Sequence, residues 1–202
     1  LIAVGELAKE WQWYNSGIVA MISGNLWDQL DLRFPLAYDN AISKAAQASK
    51  LDQALIFAIA RQESAFASDA ISRVGARGLM QLMPATAKEQ AKESGVSHHT
   101  TKDLLTPEHN VKLGSAYLSR LLSDFRGNRV LAAAAYNAGK HRVKRWLKTP
   151  LKPLPADVWI ETIPFKETRH YVQNVLTYSV IYNYRMGAAS ELLDSNETNI
   201  AL

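Results

Sequence analysis

Cysteine is absent from the sequence, and its absence excludes several kinds of chemistry together. Disulfide frameworks, zinc ribbons, iron–sulfur clusters and catalytic thiols all require cysteine side chains. The five histidines include no pair spaced i, i+4 and no HExxH motif, and the acidic residues form no EF-hand loop. We therefore expect neither a bound metal nor a cofactor.

Long hydrophobic runs are also missing. A membrane-spanning helix needs about 20 consecutive apolar residues, whereas the apolar run at 18–22 is interrupted by Ser23, Gly24 and Asn25. The sequence therefore predicts no membrane span. The chain begins at Leu1 and shows no signal peptide, so we expect the natural protein to extend further at its N-terminus.

The composition that remains is that of an ordinary globular protein. Apolar residues make up 48% and charged residues 21% of 202 residues, enough for one good core or two small domains. The formal net charge is +4, which favours polyanionic partners. This excess is too small to choose among nucleic acid, an anionic membrane and an acidic cell wall.

The hydrophobic pattern predicts an all-α fold, because apolar residues recur at period 3.6 and strand-like alternation is scarce. Phe34 and Pro35 should end a helix, and we place a domain boundary near residue 35. Loops are predicted at 67–79 and 96–105, a proline-rich connector at 150–155, and a frayed tail after Gly187. The predicted helices cover 3–15, 16–32, 36–48, 52–66, 84–95, 107–125, 130–137, 140–147, 157–163 and 166–186.

One predicted helix places a carboxylate at the end of an apolar stripe. Ile56, Ile59, Ala60 and Glu63 fall at i, i+3, i+4 and i+7, so they share one face. Burial at that position would raise the pKa of the Glu63 carboxyl, which suits a general acid near neutral pH. The alternative is a structural glutamate at a fraying helix end, paired with Arg61 or Arg73.

Two further segments carry polar groups in apolar surroundings. Gln81 lies in a glycine-punctuated loop between Met80 and Met83, so it needs a partner from the core or from a ligand. Tyr136 and Asn137 end an alanine-rich helix just before Gly139. They form either a helix terminus alone or a hydrogen-bonding rim for a polar ligand such as a sugar.

Four motifs in this order resemble the signature of the lytic transglycosylases with a goose-type lysozyme fold. They are ARQES around Glu63, SRVGARGLMQLMP at 72–84, AYNAG ending at Gly139, and ETIPFKETRHYVQNVL at 161–176. The last is similar to a segment of the soluble, periplasmic branch. The resemblance covers about 36–187, and 1–35 resemble the end of the helical linker domain that precedes the catalytic domain. It implies a lysozyme-like helical domain over 36–202.

The resemblance implies a reaction and a set of site residues. The substrate is the glycan strand of peptidoglycan, cleaved without water between N-acetylmuramic acid and N-acetylglucosamine to leave a 1,6-anhydro end. Glu63 matches the single catalytic acid and base. The residues matching the sugar groove are Ser72, Gln81, Met83, Tyr136, Asn137 and, as a supporting acid, Glu161. The family's usual proline after the serine is Arg73 here, and its usual tryptophan after Glu-Ser-Ala is Phe66. An aromatic is retained at Phe66, so we expect it to stack on sugar.

Two other functions remain open at this level. A lysozyme-type hydrolase would act on the same polymer with water as the nucleophile. Residues 130–146 also resemble a helix-turn-helix with a basic second helix, although such a charge run is usually a solvated face. We expect glycan strands as the partner and no nucleic acid.

Overall fold

A computed structural model describes residues 1–98, 100–148 and 152–200, and it confirms the all-α class. In this part of the chain, eleven α-helices and one short 3₁₀ helix account for the architecture. The α-helices are α1 (Ile2–Glu10), α2 (Tyr14–Ser23), α3 (Leu30–Arg33), α4 (Asp39–Ser49), α5 (Gln53–Ser64), α6 (Pro84–Glu93), α7 (Pro107–Asp124), α8 (Arg129–Ala138), α9 (Lys140–Trp146), α10 (Ala156–Thr162) and α11 (Lys166–Arg185). No helix among these is both long enough and apolar enough to cross a bilayer.

Helix α5 is the centre of the core. Its side chains from Ala54 to Ala60 are buried on every face, as expected of a helix that is apolar all round. It starts where predicted, since the Asp52 carboxylate accepts a hydrogen bond from the Ala54 amide at 2.9 Å. Helix α11 packs along α5, α8 packs on α11, and α7 packs on α8. The last turn of α5 therefore lies among the long helices.

Near the N-terminus, one predicted helix break is misplaced and one predicted helix is split. The chain breaks at Gln12, which has φ +58°, and Asn15 to Gly17 lie inside α2. Glycine suits position 17 because α1 and α2 cross closely there, and a Cβ on Gly17 would lie 3.3 Å from Ala8 Cβ. The predicted helix over 16–32 also splits at Asn25, where φ is +54°. The predicted end before Pro35 is confirmed, because α3 stops at Arg33.

The predicted loop at 96–105 contains the 3₁₀ helix, Thr101–Leu105. Thr100 and Asp103 form a capping box at its start, because the Asp103 carboxylate accepts from the Thr100 amide and the Thr100 side chain accepts from the Asp103 amide. The sequence contained this signal, but the polar composition of the segment favoured a loop.

The tail after Gly187 is not frayed as predicted. Glu197 is fully buried and pairs with Arg129 of α8 at 2.7 Å. The last described residues form strand β2 (Asn199–Ile200), antiparallel to β1 (Leu154–Pro155). A polar tail can pack when its charge has a buried partner, and the composition did not reveal that partner. Strand β1 forms the last two residues of the connector predicted at 150–155. Residues 150 and 151 of that connector lie outside the described residues.

Candidate active site

Glu63 occupies the last turn of α5, and the predicted apolar stripe leads to it. Ile56, Ile59 and Ala60 are fully buried, whereas Glu63 is only partly buried. The helix stops just beyond, since Ala65 and Phe66 both have positive φ. The apolar face of α5 thus delivers one carboxylate to the edge of the core.

The surroundings of the Glu63 carboxyl favour its protonated form. Burial raises its pKa from 4.5 to about 7, with a smaller increase from the negative charge of Glu167. A hydrogen bond from the Tyr171 hydroxyl to Glu63 Oε1, 2.7 Å long, opposes this shift because it stabilises the carboxylate. The result is a carboxyl that exchanges its proton near neutral pH.

The structural alternative for Glu63, a pairing with Arg61 or Arg73, is wrong. Arg61 Nε donates to the Arg33 carbonyl at 2.9 Å, and its guanidinium lies over the rings of Phe34 and Tyr178. Arg73 is exposed in its loop. Within the described residues, no lysine or arginine nitrogen forms a salt bridge with Glu63.

A tight turn at 77–82 lies against the end of α5. The Ser64 hydroxyl donates to the Leu79 carbonyl at 2.8 Å, which joins the turn to the residue after Glu63. Gly78 has φ +71°, and a Cβ there would lie 2.0 Å from the Leu104 carbonyl oxygen, so only glycine fits. From α7, Asn110 Oδ1 accepts from the Met80 amide at 2.8 Å. The turn is therefore fixed from two sides.

Ser72 and Gln81 bond within this loop region. Ser72 Oγ accepts from the Ala76 amide at 3.0 Å. Gln81 Nε2 donates to the carbonyls of Gly78 and Ala70, at 2.9 and 3.2 Å. The sequence predicted that Gln81 needs a hydrogen-bond partner. The loop itself provides partners for the NH₂ group of the Gln81 side chain.

Tyr136 and Asn137 connect α8 to the turn and to α11. The Tyr136 hydroxyl donates to the Met80 carbonyl at 2.9 Å, and the charge of Glu63 contributes to a raised Tyr136 pKa. Asn137 Oδ1 accepts from the Thr168 hydroxyl at 2.6 Å, and its Nδ2 donates to Glu167 at 3.3 Å. These two predicted residues therefore belong to the same neighbourhood as Glu63.

The family descriptions that match the sequence cover most of the chain. The description "Transglycosylase SLT domain" matches residues 40–154, more than half of it. The chain belongs to the soluble lytic transglycosylase family. Residues 1–30 match the "Soluble lytic murein transglycosylase L domain", and 162–191 match the "Soluble lytic transglycosylase helical domain". The predicted family membership is thereby confirmed.

Individual members of this family are similar in both sequence and structure. The soluble lytic murein transglycosylase of Escherichia coli K12 is 42% identical over 92% of this chain and 29% of its own length. The lytic transglycosylase Slt of Pseudomonas aeruginosa, solved as an inactive variant, has TM-score 0.94 and 50% identity over 99% of this chain and 32% of that one. The 70 kDa soluble lytic transglycosylase of E. coli has TM-score 0.93, 40% identity and coverage of 96% and 32%. The lysozyme-like helical fold is confirmed, and the chain spans about a third of these relatives.

The remaining predicted residues have different surroundings. Met83 is 40% exposed at the start of α6, available to a ligand. Phe66 is buried against Phe57 and Tyr182, so the stacking on sugar that we considered for it is wrong. Glu161 is exposed and accepts from Gln173 at 2.9 Å.

Two residues next to Glu63 were not predicted from the sequence. Glu167, and not Glu161, is the second carboxylate whose charge reaches Glu63, and Tyr171 provides the hydrogen bond. Both lie in the fourth motif and are four residues apart on α11, so they share one helix face. That spacing is the signal that would have identified them together.

Proposed function

We propose that this chain is the catalytic part of a periplasmic lytic transglycosylase, with residues 1–35 closing a linker domain and 36–202 forming the catalytic domain. It cleaves the β-1,4 bond between N-acetylmuramic acid and N-acetylglucosamine in peptidoglycan and leaves 1,6-anhydromuramoyl ends. The observation that carries the proposal is the enclosed Glu63 carboxyl, whose pKa of about 7 lets it serve first as acid and then as base.

In the first step, protonated Glu63 donates its proton to the glycosidic oxygen. The bond from that oxygen to muramic C1 breaks, and positive charge develops on the sugar ring. The negative charge of Glu167, which reaches Glu63, also stabilises this developing charge. The Tyr171 hydroxyl holds the Glu63 carboxylate that remains.

In the second step, Glu63 takes the proton of the muramic C6 hydroxyl, whose oxygen attacks C1 of the same sugar. This closure consumes no water and restores protonated Glu63. An attack within one sugar gains from proximity over attack by a free water molecule. It also explains how one enclosed carboxyl suffices, since Glu167, Glu161 and Asp69, which lies six residues after Glu63, are all exposed.

The other site residues bind or position the glycan. We assign Ser72 and Gln81 to the loop that presents the Met80 backbone, since their described bonds are within it. Met83 provides an exposed apolar contact. Tyr136 and Asn137 hold the turn and Glu167 in place beside Glu63.

Mass spectrometry of muropeptides from digested peptidoglycan tests this proposal. We expect products lighter by one water than those of a lysozyme, and no such products from Glu63→Gln. The matched control is Glu191→Gln, which removes an exposed carboxylate outside the proposed site and should keep turnover within about twofold, as surface substitutions usually have small effects. Glu161→Gln should reduce turnover without abolishing it, since Glu161 is the supporting acid. Reducing muramic ends from the wild type would identify a hydrolase instead.

The stability of Glu63→Gln separates lost chemistry from lost folding. Burial raises the folded-state pKa, so the folded protein binds an extra proton between pH 4.5 and about 7. Burying Glu63 therefore costs nothing below pH 4.5, costs more stability as pH rises to about 7, and costs at most about 3 kcal/mol above that. The neutral amide avoids this cost, so the variant should be at least as stable as the wild type at pH 8.

A further inference from the structure

We propose that His98, Asp103 and His109 form a binding site for a divalent transition metal ion of the Zn²⁺ type. Their donor atoms lie within 4.8 Å of one another, and all three side chains are partly buried. The site is distinct from Glu63 and does not depend on the proposed function. The spacing of histidines along a single helix predicted no metal site. These three residues instead come from the loop before the 3₁₀ helix, from the 3₁₀ helix itself and from α7.

The distances among the three residues fit a metal centre. His98 Nδ1 lies 3.0 Å from His109 Nε2 and 3.9 Å from Asp103 Oδ2. Donor atoms about 2.0–2.2 Å from a tetrahedral zinc ion are roughly 3.3–3.6 Å from one another. Side-chain adjustments of less than about 1 Å would therefore bring the three donors to bonding distance.

The donor chemistry selects the class of ion. Two imidazole nitrogens and one carboxylate suit Zn²⁺ and its neighbours in the first transition row, whereas Mg²⁺ and Ca²⁺ prefer oxygen donors. Three protein ligands leave a fourth position for water. The Asp103 carboxylate is fixed in advance by the Thr100 amide and hydroxyl, at 2.9 and 3.0 Å, as supporting residues fix ligands in metal sites.

The metal would connect the 3₁₀ helix to α7 next to the bonds that hold the 77–82 turn. Leu104 follows Asp103, and its carbonyl accepts from Asn110 Nδ2 at 2.8 Å. Asn110 follows His109, and its Oδ1 accepts from the Met80 amide at 2.8 Å. An ion joining Asp103 to His109 therefore tightens a path from the loop to Met80, which also accepts from Tyr136.

Calorimetric titration of the chelator-treated chain with ZnCl₂ tests the site. We expect one Zn²⁺ per chain and a higher melting temperature with saturating metal. The variants His98→Ala and His109→Ala should bind at least about tenfold more weakly, the loss typical of removing even a supporting residue. A double variant of exposed His141 and His170 is the matched control and should bind as the wild type does.

Two measurements on the same chain keep the result decisive if a variant folds poorly. Co²⁺ added to the wild type should give the visible absorption of a low-symmetry site with nitrogen ligands. Hydrogen exchange of the Met80 amide should slow on adding Zn²⁺ to the wild type and stay unchanged in His109→Ala. Absence of stoichiometric binding, or equal binding by His109→Ala, overturns the site, and unchanged Met80 exchange in the Zn²⁺-bound wild type overturns the connection to the turn.

Discussion

At the residue scale, the Tyr171 hydroxyl limits how far burial can raise the Glu63 pKa. Burial favours the neutral acid, whereas the hydrogen bond to Oε1 favours the carboxylate. Tyr171 itself stays neutral because its pKa is raised well above 10 by burial and by the charge of Glu63. The pair thus holds one exchangeable proton, on Glu63, across the neutral range.

The pH dependence of turnover follows from this balance. The general acid is the protonated form, so kcat/KM should fall as pH rises through about 7. Tyr171→Phe removes a bond that stabilises the carboxylate, which raises the Glu63 pKa and moves this fall to higher pH. Tyr184→Phe, an exposed change on the same helix, should leave the profile unchanged. A fall at the same or lower pH in Tyr171→Phe would contradict the assigned balance.

The position of Glu63 could be predicted because it depends on helix periodicity alone. Its apolar stripe and the N-cap at Asp52 are local signals, and both are confirmed. Tyr171 is 108 residues away, and its contact depends on how α11 packs on α5. Packing between distant helices produces no local sequence pattern. The catalytic carboxyl was therefore predictable from the sequence, whereas its hydrogen-bond partner Tyr171 was not.

At the element scale, the 77–82 turn belongs to no helix, and a single antiparallel bridge between Arg77 and Leu82 closes it. Its shape depends on Gly78 and on bonds from α5, α7 and α8 to its backbone. Because these helices meet at the turn, it connects the core to the residues around Glu63. A change in its backbone should therefore affect both stability and turnover.

Two glycines of one loop provide a matched comparison. Gly78→Ala would place a Cβ against the Leu104 carbonyl and Asn110, whereas nothing lies within 4 Å of a Cβ at Gly75. Both have positive φ, so Gly75→Ala should cost about 1–2 kcal/mol from backbone strain alone. Gly78→Ala should cost at least about 2 kcal/mol more and lower turnover. Urea unfolding measures the difference, and equal losses would show that the close approach is unimportant.

Helix starts and ends were predicted more accurately than helix breaks. Proline at Pro107 and the N-cap at Asp52 act through a few backbone groups, so sequence alone identifies them. Gly17 has two opposite interpretations, a break or a close helix crossing. Only the neighbouring Ala8 decides between them.

At the scale of the whole molecule, a buried ion pair attaches the end of the described chain to α8. Glu197 accepts from the Arg129 amide at 2.7 Å and from its guanidinium at 2.9 and 2.7 Å. Asp194 lies 3.3 Å from the same guanidinium. The segment that composition predicted to be frayed is therefore part of the fold.

Removing one member of this pair should destabilise the protein strongly. Glu197→Gln leaves the Arg129 guanidinium without its buried counter-charge, a loss of about 3–5 kcal/mol. The combination of Arg129→Met with Glu197→Leu should lose less than Glu197→Gln alone, since no unpaired charge remains. Glu191→Gln, exposed in the same segment, is the control. Thermal unfolding measures these variants together with Arg129→Met alone and Glu197→Leu alone. A combined loss equal to the sum of the losses of those two single variants would refute a coupled pair.

The same ion pair gives the protein a defined order of assembly during synthesis. Arg129 leaves the ribosome 68 residues before Glu197, so its guanidinium cannot be buried with its counter-charge until residue 197 has been made. A nascent chain that stops short of residue 197 therefore carries an unpaired charge on the helix that bears Tyr136 and Asn137. Synthesis of the segment that contains Glu197 is the step that completes the buried surroundings of this helix.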